Sequence, residues 1–269
     1  MDRRAIGVFD SGLGGLTAMR ELTALLPNER FIYFGDTARV PYGTRSRETI
    51  ISYARQDVNF LRSFDLKAIL IACGTVSTTA LDTLREEVPL PLIGVVDPAV
   101  EEAVAASKSG RIGLVGTSAT VGSGAFQRAI LAKNPAATVT SQACPLFVPL
   151  VENGRYESSD KVVELVVAEY LAPLKAAGVD TLVLGCTHYP LLMEAVAAYM
   201  GEGVALVNTG AAAAQALAGF LRESGALSDS TDRGEQKFYV SDSPDGFERL
   251  ASIFLCTDVC GEVEQVTVG

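Results

Sequence analysis

The feature that most limits what this chain can fold into is a repetition at the scale of a domain. Ile6 Gly7 Val8 Phe9 Asp10 Ser11 is echoed by Ile112 Gly113 Leu114 Val115 Gly116 Thr117, and Lys67 Ala68 Ile69 Leu70 Ile71 Ala72 Cys73 by Asp180 Thr181 Leu182 Val183 Leu184 Gly185 Cys186. Each segment is an apolar run that gives way to a polar residue, the form of a buried strand reaching its loop. Two echoes in the same order and at nearly equal offsets indicate a chain built twice.

Short β-rich runs at 6–9, 31–34, 68–72, 92–96, 112–115, 182–184 and 205–207 alternate with segments of helical period, such as Ala80, Leu81, Leu84 and Val162, Val163, Val166, Val167, Tyr170. This alternation predicts an α/β fold: two pseudo-symmetric domains, each a mainly parallel sheet flanked by helices, with the active site in the cleft between them. Pro89, Pro91 and Pro98 mark the first crossover between halves, and 208–210 the return. The expected domains are residues 1–97 plus 209–269, and 98–208. In the first, a tail with helical period and a strand at 238–240 packs back on the N-terminal half.

Composition narrows the function. A net charge of −10 without a basic patch argues against nucleic acid and anionic membrane surfaces as partners. Met1 Asp2 Arg3 Arg4 leads at once into a strand-length apolar run, neither signal-like nor membrane-spanning, so a cytoplasmic protein is expected. Five cysteines at irregular spacing do not form a disulfide framework and would stay reduced there. No metal site is expected, because Cys256 and Cys260 lack zinc-like spacing and His188 is the one histidine.

Ligands of open α/β sheets bind beyond the carboxyl ends of strands, where Cys73 and Cys186 both fall. Helices expected over 76–87 and 190–200 would put each thiol near a helix N-terminus, which favours thiolate. Cys144, Cys256 and Cys260 read as small apolar residues. Two similar halves with one thiol each would set a base on either side of a bound carbon, which suits inversion by proton transfer. A cysteine protease or glutaminase fits less well, since His188 stands where a nucleophile elbow wants glycine.

His188 is placed to bond Cys186 or orient substrate, and Asp10 to do the same near Cys73 or to cap a helix. The run Asp10 Ser11 Gly12 Leu13 Gly14 Gly15 Leu16 offers amides for a small carboxylate. A dinucleotide reading, with Asp36 as the ribose acid, is the weaker rival because Thr17 replaces the last fingerprint glycine. Pro41, Tyr42 and Gly43 form a second polar loop, and Thr75, Thr117, Thr120 and Thr187 bring hydroxyls to the same cleft.

Taken together, the 10–16 run, Gly35 Asp36 with Pro41 Tyr42 Gly43, and both cysteine segments with Leu184 Gly185 Cys186 Thr187 His188 Tyr189 Pro190 Leu191 closely resemble the glutamate racemases of the aspartate/glutamate racemase superfamily. The resemblance covers nearly the whole chain. It implies a cofactor-independent enzyme that interconverts L-glutamate and D-glutamate for peptidoglycan synthesis, often as a homodimer. By matching position, Cys73 resembles the base acting on D-glutamate and Cys186 the base acting on L-glutamate, with Asp10, His188 and Glu152 assisting. Ser11, Pro41, Tyr42, Gly43, Gly74, Thr75, Thr117, Thr120 and Thr187 resemble substrate contacts. The chain departs from the family in Gly74, where asparagine is common, and in Asn208, where aspartate is common. The alternatives are an aspartate racemase or related proton-transfer enzyme, and a catalytically silent binding or regulatory module.

Overall fold

The computed structural model describes residues 2–255 and 263–269, so Cys256 and Cys260 lie outside the described residues. Its strands are β1 (Ala5–Asp10), β2 (Phe31–Gly35), β3 (Leu66–Ile71), β4 (Leu92–Gly94), β5 (Arg111–Gly116), β6 (Thr138–Ala143), β7 (Thr181–Leu184), β8 (Ala205–Asn208), β9 (Gln236–Val240) and β10 (Val263–Gln265). They form one sheet of order β10-β9-β2-β1-β3-β4 and a second of order β6-β5-β7-β8. Every pairing is parallel. The order β2-β1-β3-β4 thus recurs as β6-β5-β7-β8, the two sequence echoes being β1 with β5 and β3 with β7.

Parallel strands covered on both faces must be apolar on both faces. Accordingly β1, β2 and β3 are buried at every position. β6 and β10 were not legible in the sequence because neither carries an apolar run. In β6 the Thr-Val-Thr-Ser-Gln-Ala segment is half-buried and carries one large apolar side chain. β4 is shorter than the expected 92–96 strand, since Val96 already opens the helix Val96–Ala106. The helix expected over 76–87 is two helices, Gly74–Thr79 and Leu81–Glu87, broken at Ala80 where φ is −117°. The one expected over 190–200 begins as a 3₁₀ turn, Tyr189–Leu192, and becomes α-helix at Met193–Met200.

Register sets where the site falls. Phe9 pairs with Ile71 and Asp10 with Gly35, so the residues after β1, β2 and β3 emerge along one sheet edge. Val115 pairs with Leu184, which brings Thr117 and Cys186 to the matching edge of the second sheet.

The chain returns through the helix Thr209–Glu223, which packs against the helices Leu16–Leu25 and Val96–Ala106. Asn208 caps it, its Oδ1 accepting from the amides of Gly210 (3.0 Å) and Ala211 (3.2 Å), so the departure from aspartate keeps the cap. β9 pairs with β2, which places the expected tail strand in the first sheet. A buried ion pair holds the connection: Lys67 Nζ lies 2.6 Å from Glu29 Oε2 and donates to the carbonyl of Ala226 at 2.7 Å.

Gly219 lies inside the return helix, where an added Cβ meets nothing within 4 Å. Gly219→Ala is expected to stabilise the fold by about 0.5–1 kcal/mol through the lower backbone entropy of the unfolded chain. A higher denaturant midpoint at unchanged slope checks this.

Candidate active site

Between the two facing sheet edges lies a cavity of about 320 Å3. The segments after β1, β2 and β3 build one wall and those after β5, β6 and β7 the other. Of the residues singled out in the sequence, Cys73, Cys186, His188, Glu152, Ser11, Pro41, Tyr42, Gly43, Gly74, Thr75, Thr117, Thr120 and Thr187 line it. Asp10 does not; it lies directly behind the wall, 2% exposed.

The two sulfurs have unlike surroundings. Cys73 Sγ donates to Ser11 Oγ at 3.2 Å. Burial, with the nearby Asp10 charge, pushes its thiol up to about 12. The helix end was expected to lower it; here a six-residue helix supplies too little field to offset desolvation. Asp10 Oδ2 accepts from the Gly12 amide at 2.9 Å, while Oδ1 is buried with no hydrogen-bond donor. Burial raises this carboxyl above its ordinary value, against the opposing pull of His188 and the Gly12 amide. Since the Gly12 amide serves Asp10, it is turned away from any ligand carboxylate, unlike the cradle expected of the glycine run.

At the other sulfur, Cys186 Sγ lies 3.9 Å from His188 Nδ1, and His188 Nε2 lies 3.0 Å from Glu152 Oε1. Burial alone would lower the imidazole, but hydrogen bonding and charge from Cys186 and Glu152 outweigh it and raise His188 to about 10. These partners make the ring hold its proton more tightly than an ordinary imidazole does. Phe254, from the C-terminal helix Pro244–Leu255, closes the back of the ring edge-on at 5.5 Å between centroids.

Contacts across the cleft are short and polar. Thr17 Oγ1 donates to the Thr187 carbonyl at 2.9 Å, and Thr75 Oγ1 meets Thr117 Oγ1 at 3.2 Å. Thr117 also caps the helix Ser118–Ser123, accepting from the Thr120 amide at 3.1 Å. Two glycines make this proximity possible. A Cβ on Gly14 would stand 2.0 Å from Thr187 Oγ1 and 2.5 Å from His188 Nδ1; one on Gly74 would stand 2.6 Å from the Gly185 carbonyl oxygen. The space an asparagine would need at 74 is thus filled by the opposite half of the molecule.

One reading is corrected. Asp36 is fully buried and bonded to Arg39, Tyr42 and Ser241, so it is no ribose acid and the dinucleotide reading falls. Cys144 is a buried core residue, as expected, and its core position also borders the cavity wall. Its signal was a third cysteine at a strand end, hidden because the half-exposed strand before it, β6, was not recognised. Val148 and Pro149, also on the wall, carried no sequence signal.

A two-domain α/β enzyme with a cysteine on each of two opposed walls of one cleft is the class that fold and site define. The chain belongs to the Asp/Glu/Hydantoin racemase family, whose model matches residues 6–217. A glutamate racemase of Geobacter metallireducens is 44% identical over 268 residues, 100% of this chain and 98% of that protein. Among solved structures, a glutamate racemase isoform of Bacillus anthracis superposes with a TM-score of 0.94 at 36% identity, covering 99% of this chain and 98% of that one. The Francisella tularensis glutamate racemase in complex with D-glutamate gives 0.91 at 40% identity, covering 99% and 98%.

Because the chain has a single histidine, its ring resonances are unambiguous. NMR titration is expected to show His188 protonated through neutral pH with a midpoint near 10, and Glu152→Gln to lower that midpoint. The stability contributed by this raised group is complete below its ordinary value of 6.5 and is lost as pH rises through about 10. A midpoint near 6.5 in the unaltered protein would refute the charged ring. Gly74→Ala is expected to wedge the halves apart and cut racemase turnover about 10- to 100-fold, while Gly219→Ala leaves it unchanged.

Proposed function

We propose that this chain is a cofactor-independent glutamate racemase that moves the α-proton between two cysteines and supplies D-glutamate for peptidoglycan synthesis. The observation that carries the reading is the presence of Cys73 and Cys186 on opposed walls of one cavity, 5% and 7% exposed. The relatives named glutamate racemase and their coverage of the full chain support glutamate as substrate.

In this reading the substrate sits with its α-carbon between the sulfurs. Cys186 as thiolate takes the α-proton of L-glutamate and becomes a thiol; the electron pair left on carbon accepts the Cys73 proton on the opposite face, giving D-glutamate and a Cys73 thiolate. The reverse direction exchanges the roles. The high proton affinity of Cys73 and the His188 cation beside Cys186 suit a resting state ready for the L-to-D direction. Ser11, Gly43, Gly74, Thr75, Thr117, Thr120 and Thr187 would hold the substrate by hydroxyls and amides, and Pro41 and Tyr42 would close one side. Asp10 and His188, behind their respective sulfurs, assist the two bases, and Glu152 holds His188. Exclusion of water strengthens each of these interactions on the developing carbanion.

The same proposal takes residues 1–97 with 209–269 as one domain and 98–208 as the other, and the working form as a cytoplasmic homodimer. Among the described residues, no helix is long and apolar enough to cross a membrane.

The test is circular dichroism of L-glutamate and of D-glutamate incubated with the protein in deuterated water. Loss of optical activity with deuterium at the α-carbon is expected, and Cys73→Ser or Cys186→Ser should each slow racemisation about 10²- to 10⁴-fold. Binding of both enantiomers without any optical change would instead establish a silent binding module, and racemisation of aspartate alone would change the substrate.

A further inference from the structure

Behind the cavity wall formed by Pro41, Tyr42 and Gly43 lies a closed set of charges that the reaction above does not use. Asp36 follows β2 and Asp57 sits within the helix Arg47–Leu61; both side chains are fully buried. The Tyr42 hydroxyl, turned away from the cavity, lies between them, hydrogen-bonded to Asp36 Oδ2 and 2.8 Å from Asp57 Oδ2. Arg39 bridges the same pair, its Nε 2.6 Å from Asp36 Oδ2 and its Nη2 2.6 Å from Asp57 Oδ1. Its remaining Nη1 bonds Gln56, and its guanidinium stacks on the Tyr53 ring at 4.3 Å. Ser241, just after β9, donates to Asp36 Oδ1 at 2.7 Å.

Proton counting shows that one hydrogen is missing from this arrangement if both acids are ionised. A tyrosine hydroxyl has one proton to donate, yet it faces a carboxylate oxygen on each side. With two carboxylates, one contact would press a hydroxyl lone pair against an anionic oxygen. The charge count agrees, for two buried anions share one cation, and an uncompensated buried charge is strongly disfavoured. The charged and titratable groups acting on Asp57 are Asp36, Arg39 and Tyr42, from the segment after β2.

We propose that Asp57 is held as a neutral acid that donates to the Tyr42 hydroxyl while Tyr42 donates to Asp36, and that this buried proton chain positions the 41–43 wall for substrate. Asp57 is thus a positioning residue acting through Tyr42; its effect on turnover rests on the racemase reading above. Burial, reinforced by the Asp36 charge and opposed by Arg39, raises Asp57 to about 8, so the neutral form prevails at neutral pH. As pH rises through that value the proton leaves, Tyr42 faces two anions, and the wall loosens. The linked stability has the same sign: it is complete below the ordinary carboxylate value of 3.8 and falls as pH climbs to about 8.

Asp57→Asn keeps a neutral side chain whose amide can donate to Tyr42, and removes the titration; Asp57→Leu removes the donor as well. Glutamate KM and kcat are measured for the three proteins between about pH 7 and about pH 9. The wild type is expected to lose affinity several-fold over that range beyond any change in Asp57→Asn, the difference cancelling titration of the substrate amine. Asp57→Leu is expected to show KM raised about tenfold throughout with kcat changed far less. Identical pH profiles for wild type and Asp57→Asn, or a tenfold KM defect in Asp57→Asn, would overturn the proposal. An infrared difference spectrum, wild type minus Asp57→Asn, decides the protonation without turnover: a protonated-carboxyl band at about pH 7 that fades through about pH 8 supports it, and its absence refutes it. If the wild type does not racemise glutamate but shows the band, the racemase reading fails and the buried proton stands; far-ultraviolet dichroism reports whether Asp57→Leu folds.

Discussion

Two parallel sheets meet with their carboxyl edges facing, and the site depends on how closely those edges are held. The hydroxyl of Thr17 reaches the Thr187 carbonyl, Thr75 meets Thr117, and Gly14 and Gly74 remove the side chains that would hold the halves apart. A methyl group at either glycine would fall within 3 Å of atoms from the opposite half. Since protein interiors transmit such displacements rather than absorb them, the separation of Cys73 and Cys186 is set by backbone contact more than by the cysteines themselves.

Within that enclosure the two thiols are made unequal by their neighbours. Cys73 sits with an uncharged hydroxyl and a buried carboxyl, and loses more from desolvation than a short helix returns. Cys186 faces the His188 imidazole, which Glu152 holds in place. Two sites alike in sequence pattern thus differ in their surroundings, since one half supplies a carboxyl behind the sulfur and the other an imidazole beside it.

The segment that returns after the second sheet does more than complete the first. Phe254 packs on the His188 ring, Ser241 ties the segment after β2 to the end of β9, and Ala226 receives the buried Lys67. The first two contacts join the returning chain to elements beside or behind the cavity, and the third joins it to the far end of β3. The charges involved are largely buried, so their cost is met only where every partner is in place, which links integrity of the tail to order at the site.

The sequence by itself determined the parallel α/β class, the doubled architecture and many of the cavity residues, because buried parallel strands must read as apolar runs and the site falls at their ends, while Glu152 came only from the resemblance to glutamate racemases. It could not reveal β6 or β10, whose half-exposed edges lack that signal, nor Cys144, which follows β6. Tertiary structure alone decided the charge states. Nothing local to Cys73 announces that burial will overcome its helix end, and nothing local to Asp57 announces that Asp36 and Tyr42 will share its enclosure. Such properties arise from desolvation and from neighbours remote in the chain, which a linear pattern of residues does not encode.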